Sequence, residues 1–99
     1  MKHFVVEITY IAPLSAIDAA LADHRAFLQT GYEQGLLLFS GPQEPRTGGI
    51  VLARAKAKED LAAFLRGDPF QVRNMARYRI VEFTPAQRQA FLEGWIAGG

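Results

Sequence analysis

Two histidines occur in this chain of 99 residues, and only His24 sits in a pattern that suggests chemistry. At 100° per residue, Ile17, Leu21, His24 and Leu28 fall within about 60° of one another on a helix, so His24 lies near the middle of an apolar stripe. An imidazole turned inward needs partners for its nitrogens, and it is the side chain best suited to moving protons near neutral pH. Asp68 is the second candidate. It directly precedes Pro69, the pattern of a helix cap followed by proline at the first helical position. A capping carboxylate keeps a second oxygen with which to orient an imidazole, and a base held by such an orienting group is the arrangement of general acid–base catalysis. Each residue also has a purely structural reading, His24 as a histidine at the edge of the core and Asp68 as a cap alone.

Further candidates surround these two. Ser40-Gly41-Pro42 reads as a turn after a short strand, where Gly41 lets a ligand approach the backbone and Ser40 adds a hydroxyl. Arg46 offers a planar fork to a carboxylate or other anion, if it is more than a solvated loop residue. Phe70 and Tyr10 suit a core or a pocket wall. Glu7, between Val5 and Thr9 on a strand, must find donors or become neutral if it is buried.

Other chemistries lack their residues. With no cysteine, the chain has no disulfide, no thiolate nucleophile and no thiolate metal site, and the absence of disulfides from so small a domain points to the cytoplasm. There is no GxGxxG, Walker or HExxH spacing, so no cofactor or metal is expected. A formal net charge of +1 provides no field for nucleic acid or anionic lipid. The run Gly49 to Arg54 lacks the aromatics that an RNA-binding sheet presents. The N-terminal run is interrupted by His3, Glu7 and Tyr10, which is too polar for a membrane span.

Positioning these residues requires a particular order of elements. Phe4, Val6, Ile8 and Tyr10 alternate with Val5, Glu7 and Thr9, predicting a strand from Phe4 to Tyr10. Ser15 with Asp18 resembles a capping box, and the helix it begins runs to about Gln34 with Gly35 as its stop. Short strands follow at Leu36–Phe39 and Ile50–Ala53, then a helix over Lys58–Arg66, a short helix from Asp68 to about Met75, and a strand over Arg77–Phe83. Thr84-Pro85 is expected to open a last helix with Phe91, Leu92, Trp95 and Ile96 on its apolar side. The result is one α+β domain over 1–99, a ferredoxin-like βαββαβ antiparallel sheet with two helices on one face and a C-terminal helix. Because strand residues on the other face are also partly apolar, a second copy of the chain is expected to cover it, giving a homodimer of the dimeric α+β barrel type.

The run Leu21-Ala22-Asp23-His24-Arg25-Ala26-Phe27-Leu28, then Gly35 to Pro42, Gly49-Ile50, Asp68-Pro69-Phe70 and Tyr78 to Phe83, resembles the YCII-related family in order and in residue type. The resemblance covers Phe4 to about Phe83. It implies a small ferredoxin-like homodimer with a cleft holding the family histidine and aspartate, here His24 and Asp68. It also implies a small-molecule substrate, with one branch linked to removing halide from a hydroxylated ring. The expected function is a cofactor-independent lyase or isomerase in which His24 moves a proton. The alternatives are a non-catalytic dimer that binds a small ligand or partner, and a dimeric ferredoxin-like monooxygenase that uses its substrate's own electrons.

Overall fold

The computed structural model describes all 99 residues. Its elements are β1 (Lys2–Tyr10), α1 (Leu14–Glu33), β2 (Leu37–Pro42), β3 (Gly48–Ala55), α2 (Lys58–Leu65), α3 (Pro69–Val72), β4 (Ala76–Phe83) and a terminal helical turn, α4 (Glu93–Ile96). The strands form one antiparallel sheet in the order β2-β3-β1-β4. This is the ferredoxin-like α+β arrangement expected from the order of elements.

The register decides which residues face the helices. Phe4, Val6 and Ile8 on β1 are at most 2% exposed and pack with Val51, Ala53 and Ala55 of β3. Ile17, Leu28, Leu61 and Leu65 close that core from α1 and α2. Residues in phase with Val5, Glu7 and Thr9 form the opposite face, where Glu7 lies across from Arg79 and Val5 across from Val81.

The two ends of α1 are held differently. At the C-terminus, Gly35 takes φ +73°, and the N–H groups of Gly35 and Leu36 donate to the carbonyls of Tyr32 and Gly31. Both bonds belong to the glycine-terminated cap, which satisfies carbonyls the helix cannot. At the N-terminus the expected Ser15 cap does not form. Pro13 is the cap residue, its carbonyl accepting from Ala16 and Ile17, and Ser15 lies within the helix.

Three further expectations change. Ser40-Gly41-Pro42 is not a turn but the end of β2, paired with Val51, Ile50 and Gly49. Pro42 is tolerated there because β2 is an edge strand, where a missing N–H leaves no ladder bond broken. The third strand is longer at both ends than the apolar run suggests. The last helix is also mostly absent: after β4 the chain runs irregularly, makes a 3-10 turn at Ala90–Leu92, and completes only the single helical turn α4. Pro85 and Gly94 divide a segment already at the short limit for helix formation, and Phe91 points outward at 82% exposure.

That tail lies over one end of the helix-free face. Arg54, 6% exposed, donates from Nε to the Gly35 carbonyl at 2.8 Å and from Nη1 to the Trp95 carbonyl at 2.7 Å. Its guanidinium also sits 3.8 Å from the centre of the Trp95 ring. A mainly apolar hollow of about 220 Å³ remains beneath the tail, between Leu52, Phe83, Leu92 and Trp95.

Candidate functional site

The long helix α1 carries Leu21, His24 and Leu28 toward the sheet, as its apolar stripe requires. Facing it, α3 begins at a cap whose side chain works twice. Asp68 accepts the Phe70 N–H at 3.1 Å, closing the open end of the helix, while Pro69 occupies the first helical position. The same carboxylate accepts the Nδ1–H of His24, at 2.8 Å to Oδ1 and 3.0 Å to Oδ2. Two residues separated by 44 positions thus meet because both helices lie on one sheet face.

A third donor comes from β4. The Tyr78 hydroxyl donates to Asp68 Oδ2 at 2.5 Å. Asp68 is fully buried, and an ionised carboxylate there requires donors in place of water. It receives them from an imidazole, a backbone amide and a phenol. Burial first, then the bond to Asp68, raises the Tyr78 pKa far above that of a free phenol, so Tyr78 keeps its proton and remains a donor.

This network fixes the histidine tautomer. An ionised carboxylate only accepts, so Nδ1 carries the proton and Nε2 of the neutral ring carries the lone pair. Nε2 has no partner within the chain, yet it is not among the enclosed polar atoms that lack one, so it is open to the cleft that His24 lines. The ring is also held flat against Phe70, with centroids 4.0 Å apart and planes 9° from parallel, and Tyr10 meets Phe70 edge-on at 5.9 Å.

The cleft has a volume of about 410 Å³, toward the small end of ligand sites. His24, Ser40, Gly41, Pro42, Arg46 and Phe70 all border it. Ser40 is turned to the helix side, where its hydroxyl meets that of Tyr32 at 2.6 Å. Asp68 stands behind His24 and outside the lining. Glu7 is the candidate that the structure does not bring here. It lies on the helix-free face, 3.2 Å from Arg79, with a side chain 43% exposed, so surface water and an arginine satisfy it.

Tyr78 and Arg25 were missed in the sequence. Tyr78 lies opposite Ile8 in the ladder, so the β4 alternation places its hydroxyl on the inner face, where a buried O–H needs an acceptor. Arg25 follows His24 and lines the cleft from the edge of the apolar stripe, a position that helical spacing alone assigns to the surface.

The YCII-related domain matches residues 1–84. The chain belongs to the YCII-related domain family. The matched region ends with β4, so the tail lies beyond it. Among curated proteins none matches this sequence. Nine chains of solved structures do match, among them 5-chloro-2-hydroxyhydroquinone dehydrochlorinase (TftG) from Burkholderia phenoliruptrix AC1100, determined in complex with 2,5-dihydroxybenzoquinone. That structure superposes on this YCII-related chain with a TM-score of 0.71 at 16% identity, covering 83% of this chain and 93% of the other. At that identity the likeness is one of fold. No helix here is long and apolar enough to cross a membrane.

Proposed function

We propose that this YCII-related chain is a lyase- or isomerase-type enzyme in which His24 Nε2 takes a proton from a small cyclic substrate in the cleft. The observation that carries this reading is the two-sided placement of His24, with Nδ1–H bound to a fully buried carboxylate and Nε2 open to the cavity. When Nε2 accepts the proton, the ring becomes cationic beside Asp68, which stabilises the imidazolium without taking the proton itself. The electron pair left on the substrate forms a new double bond. It either expels a leaving group such as halide from the adjacent atom, or is reprotonated elsewhere by the same imidazolium. The step needs no other reactant. A solved protein of this fold is named for removing chloride from a hydroxylated ring, which supports the elimination branch.

The test is turnover of chlorinated hydroxyhydroquinones, followed by chloride release and by ultraviolet absorbance. His24→Ala removes the acceptor and is expected to lower turnover on the order of 10²–10⁴-fold. Asp68→Asn keeps the size and much of the cap but loses the charge facing the imidazolium, so turnover falls while the fold survives. Full activity in His24→Ala would reject the proton-transfer role. A cleft opening at His24 supports a role in contact with a ligand.

The working unit in this proposal is a homodimer. Val5, Ile50 and Val81 are only half-buried on the helix-free face. A second copy packed there would shield them and bury well over about 1,000 Å². Light scattering should report twice the chain mass of 11.0 kDa at micromolar concentration; a monomer would reject the dimer and leave the His24 chemistry untouched.

A further inference from the structure

The cleft does not share the near balance of charge seen in the whole chain. The sequence carries 11 Lys and Arg against 10 Asp and Glu. The ionisable side chains that line the cleft, besides Tyr10, are His24, Arg25 and Arg46, with no carboxylate among them. The acids nearby are already engaged: Asp68 is enclosed behind His24, and Asp18 stands at the rim against Arg46.

Arg25 makes no ion pair and no hydrogen bond within the chain, so its guanidinium is free to meet a ligand. Arg46 Nη2 pairs with Asp18 Oδ1 at 2.5 Å, which occupies one corner of its planar fork. A planar anion is the group whose geometry meets the remaining guanidinium N–H groups in a fork.

From this we infer that the cleft selects small planar organic anions, such as ring carboxylates and ionised hydroxyquinones. Arg25 and Arg46 hold the anionic edge, and the ring lies against the apolar wall formed by Ile8, Leu21 and Phe70. The inference rests on the proposed function and names its substrate class. The two readings fit chemically, because proton abstraction leaves negative charge on the substrate, and cations already in place stabilise that charge as it develops.

Calorimetric titration with benzoate and with 2,5-dihydroxybenzoquinone, ionised at neutral pH, tests this against uncharged benzamide and hydroquinone. Both anions should bind, with affinities at least about tenfold above those of their neutral counterparts and falling as salt is raised. Arg25→Met and Arg46→Met should each weaken anion binding on the order of tenfold and leave the neutral compounds unaffected, with Arg46→Lys recovering part of the loss. Arg25 is exposed, so its variant also reports if Arg46→Met fails to fold. Equal binding of neutral and anionic compounds, no binding of either anion, or unchanged anion affinity in both methionine variants would overturn the inference. Arginine-dependent anion binding without turnover of any chlorinated ring would reject the enzyme reading alone. Turnover that needs His24 but neither arginine would reject the anion selectivity alone.

Discussion

The two faces of this sheet carry similar polar groups in opposite surroundings. On the helix side, a carboxylate at 0% exposure meets an imidazole, an amide and a phenol. On the other side, Glu7 faces Arg79 across a comparable distance, with both side chains exposed. The distances alone do not separate these contacts. Burial does, because water competes for every donor at the surface and screens each pair, whereas Asp68 has no substitute for the donors the fold provides. The interior network is therefore both the rigid part of the molecule and the part able to hold a proton acceptor in one tautomer.

The largest test of that contrast is Asp68→Ala. It deletes a helix cap, leaves Tyr78 O–H and His24 Nδ1–H without an acceptor, and opens a small void. Breaking a buried charged network by removing one member costs roughly 3–5 kcal/mol. That is a large share of the roughly 5–15 kcal/mol available to a domain. Urea unfolding of Asp68→Ala beside Glu7→Ala should show the first losing several-fold more stability. Equal losses would mean that the Glu7–Arg79 pair is dried as well, as a second copy packed on that face would do.

Tyr78→Phe is expected to have an intermediate effect, about 1–3 kcal/mol for one donor lost to a buried charge. It also carries a pH signature. The Tyr78 pKa is raised in the folded state, so the folded protein holds this proton where the unfolded chain releases it. The stabilisation is complete below the ordinary phenol value of about 10 and is lost as pH rises beyond it. Melting temperature should thus fall more steeply above about pH 10 in wild type than in Tyr78→Phe. Parallel curves would show that the phenol is not coupled to folding.

What the sequence could show follows the same division. Helical period placed His24 inward, and the Asp-Pro pair marked a cap, so both ends of the central contact were legible. Their meeting did not follow from spacing; it was expected from two helices sharing one sheet face and from the family resemblance. Tyr78 escaped notice because β4 carries apolar residues in both alternation phases, and only the pairing with Ile8 fixes its face. Ser40-Gly41-Pro42 was misread because glycine and proline signal turns locally, while an edge strand accepts them. Glu7 was overrated for the opposite reason: a central strand has two faces, and this residue is on the wet one. The tail followed no period because Pro85 and Gly94 break it, and Arg54 helps to fix it in place.

The sharpest control has nearly the same geometry as the central contact. Arg88 reaches Glu93 with two bonds, Nε to Oε1 at 2.9 Å and Nη2 to Oε2 at 3.0 Å, close to the 2.8 and 3.0 Å between His24 and Asp68. The Arg88 hydrogen bonds lower the Glu93 pKa, so any stabilisation is present above the ordinary carboxylate value and lost as pH falls through the folded-state pKa. Both side chains, however, are in water, where a fork of this kind has little to gain and salt screens what remains. Arg88→Ala should therefore leave the melting temperature within error of wild type at neutral pH, with no change in chloride release. Raising the salt to 1 M should erase any residual difference, while leaving the Asp68→Ala deficit intact. If Arg88→Ala instead destabilised the chain as much as Tyr78→Phe, the tail would have to be packed against something that dries this pair. A second copy of the chain would be the first candidate, and the loss would then depend on protein concentration.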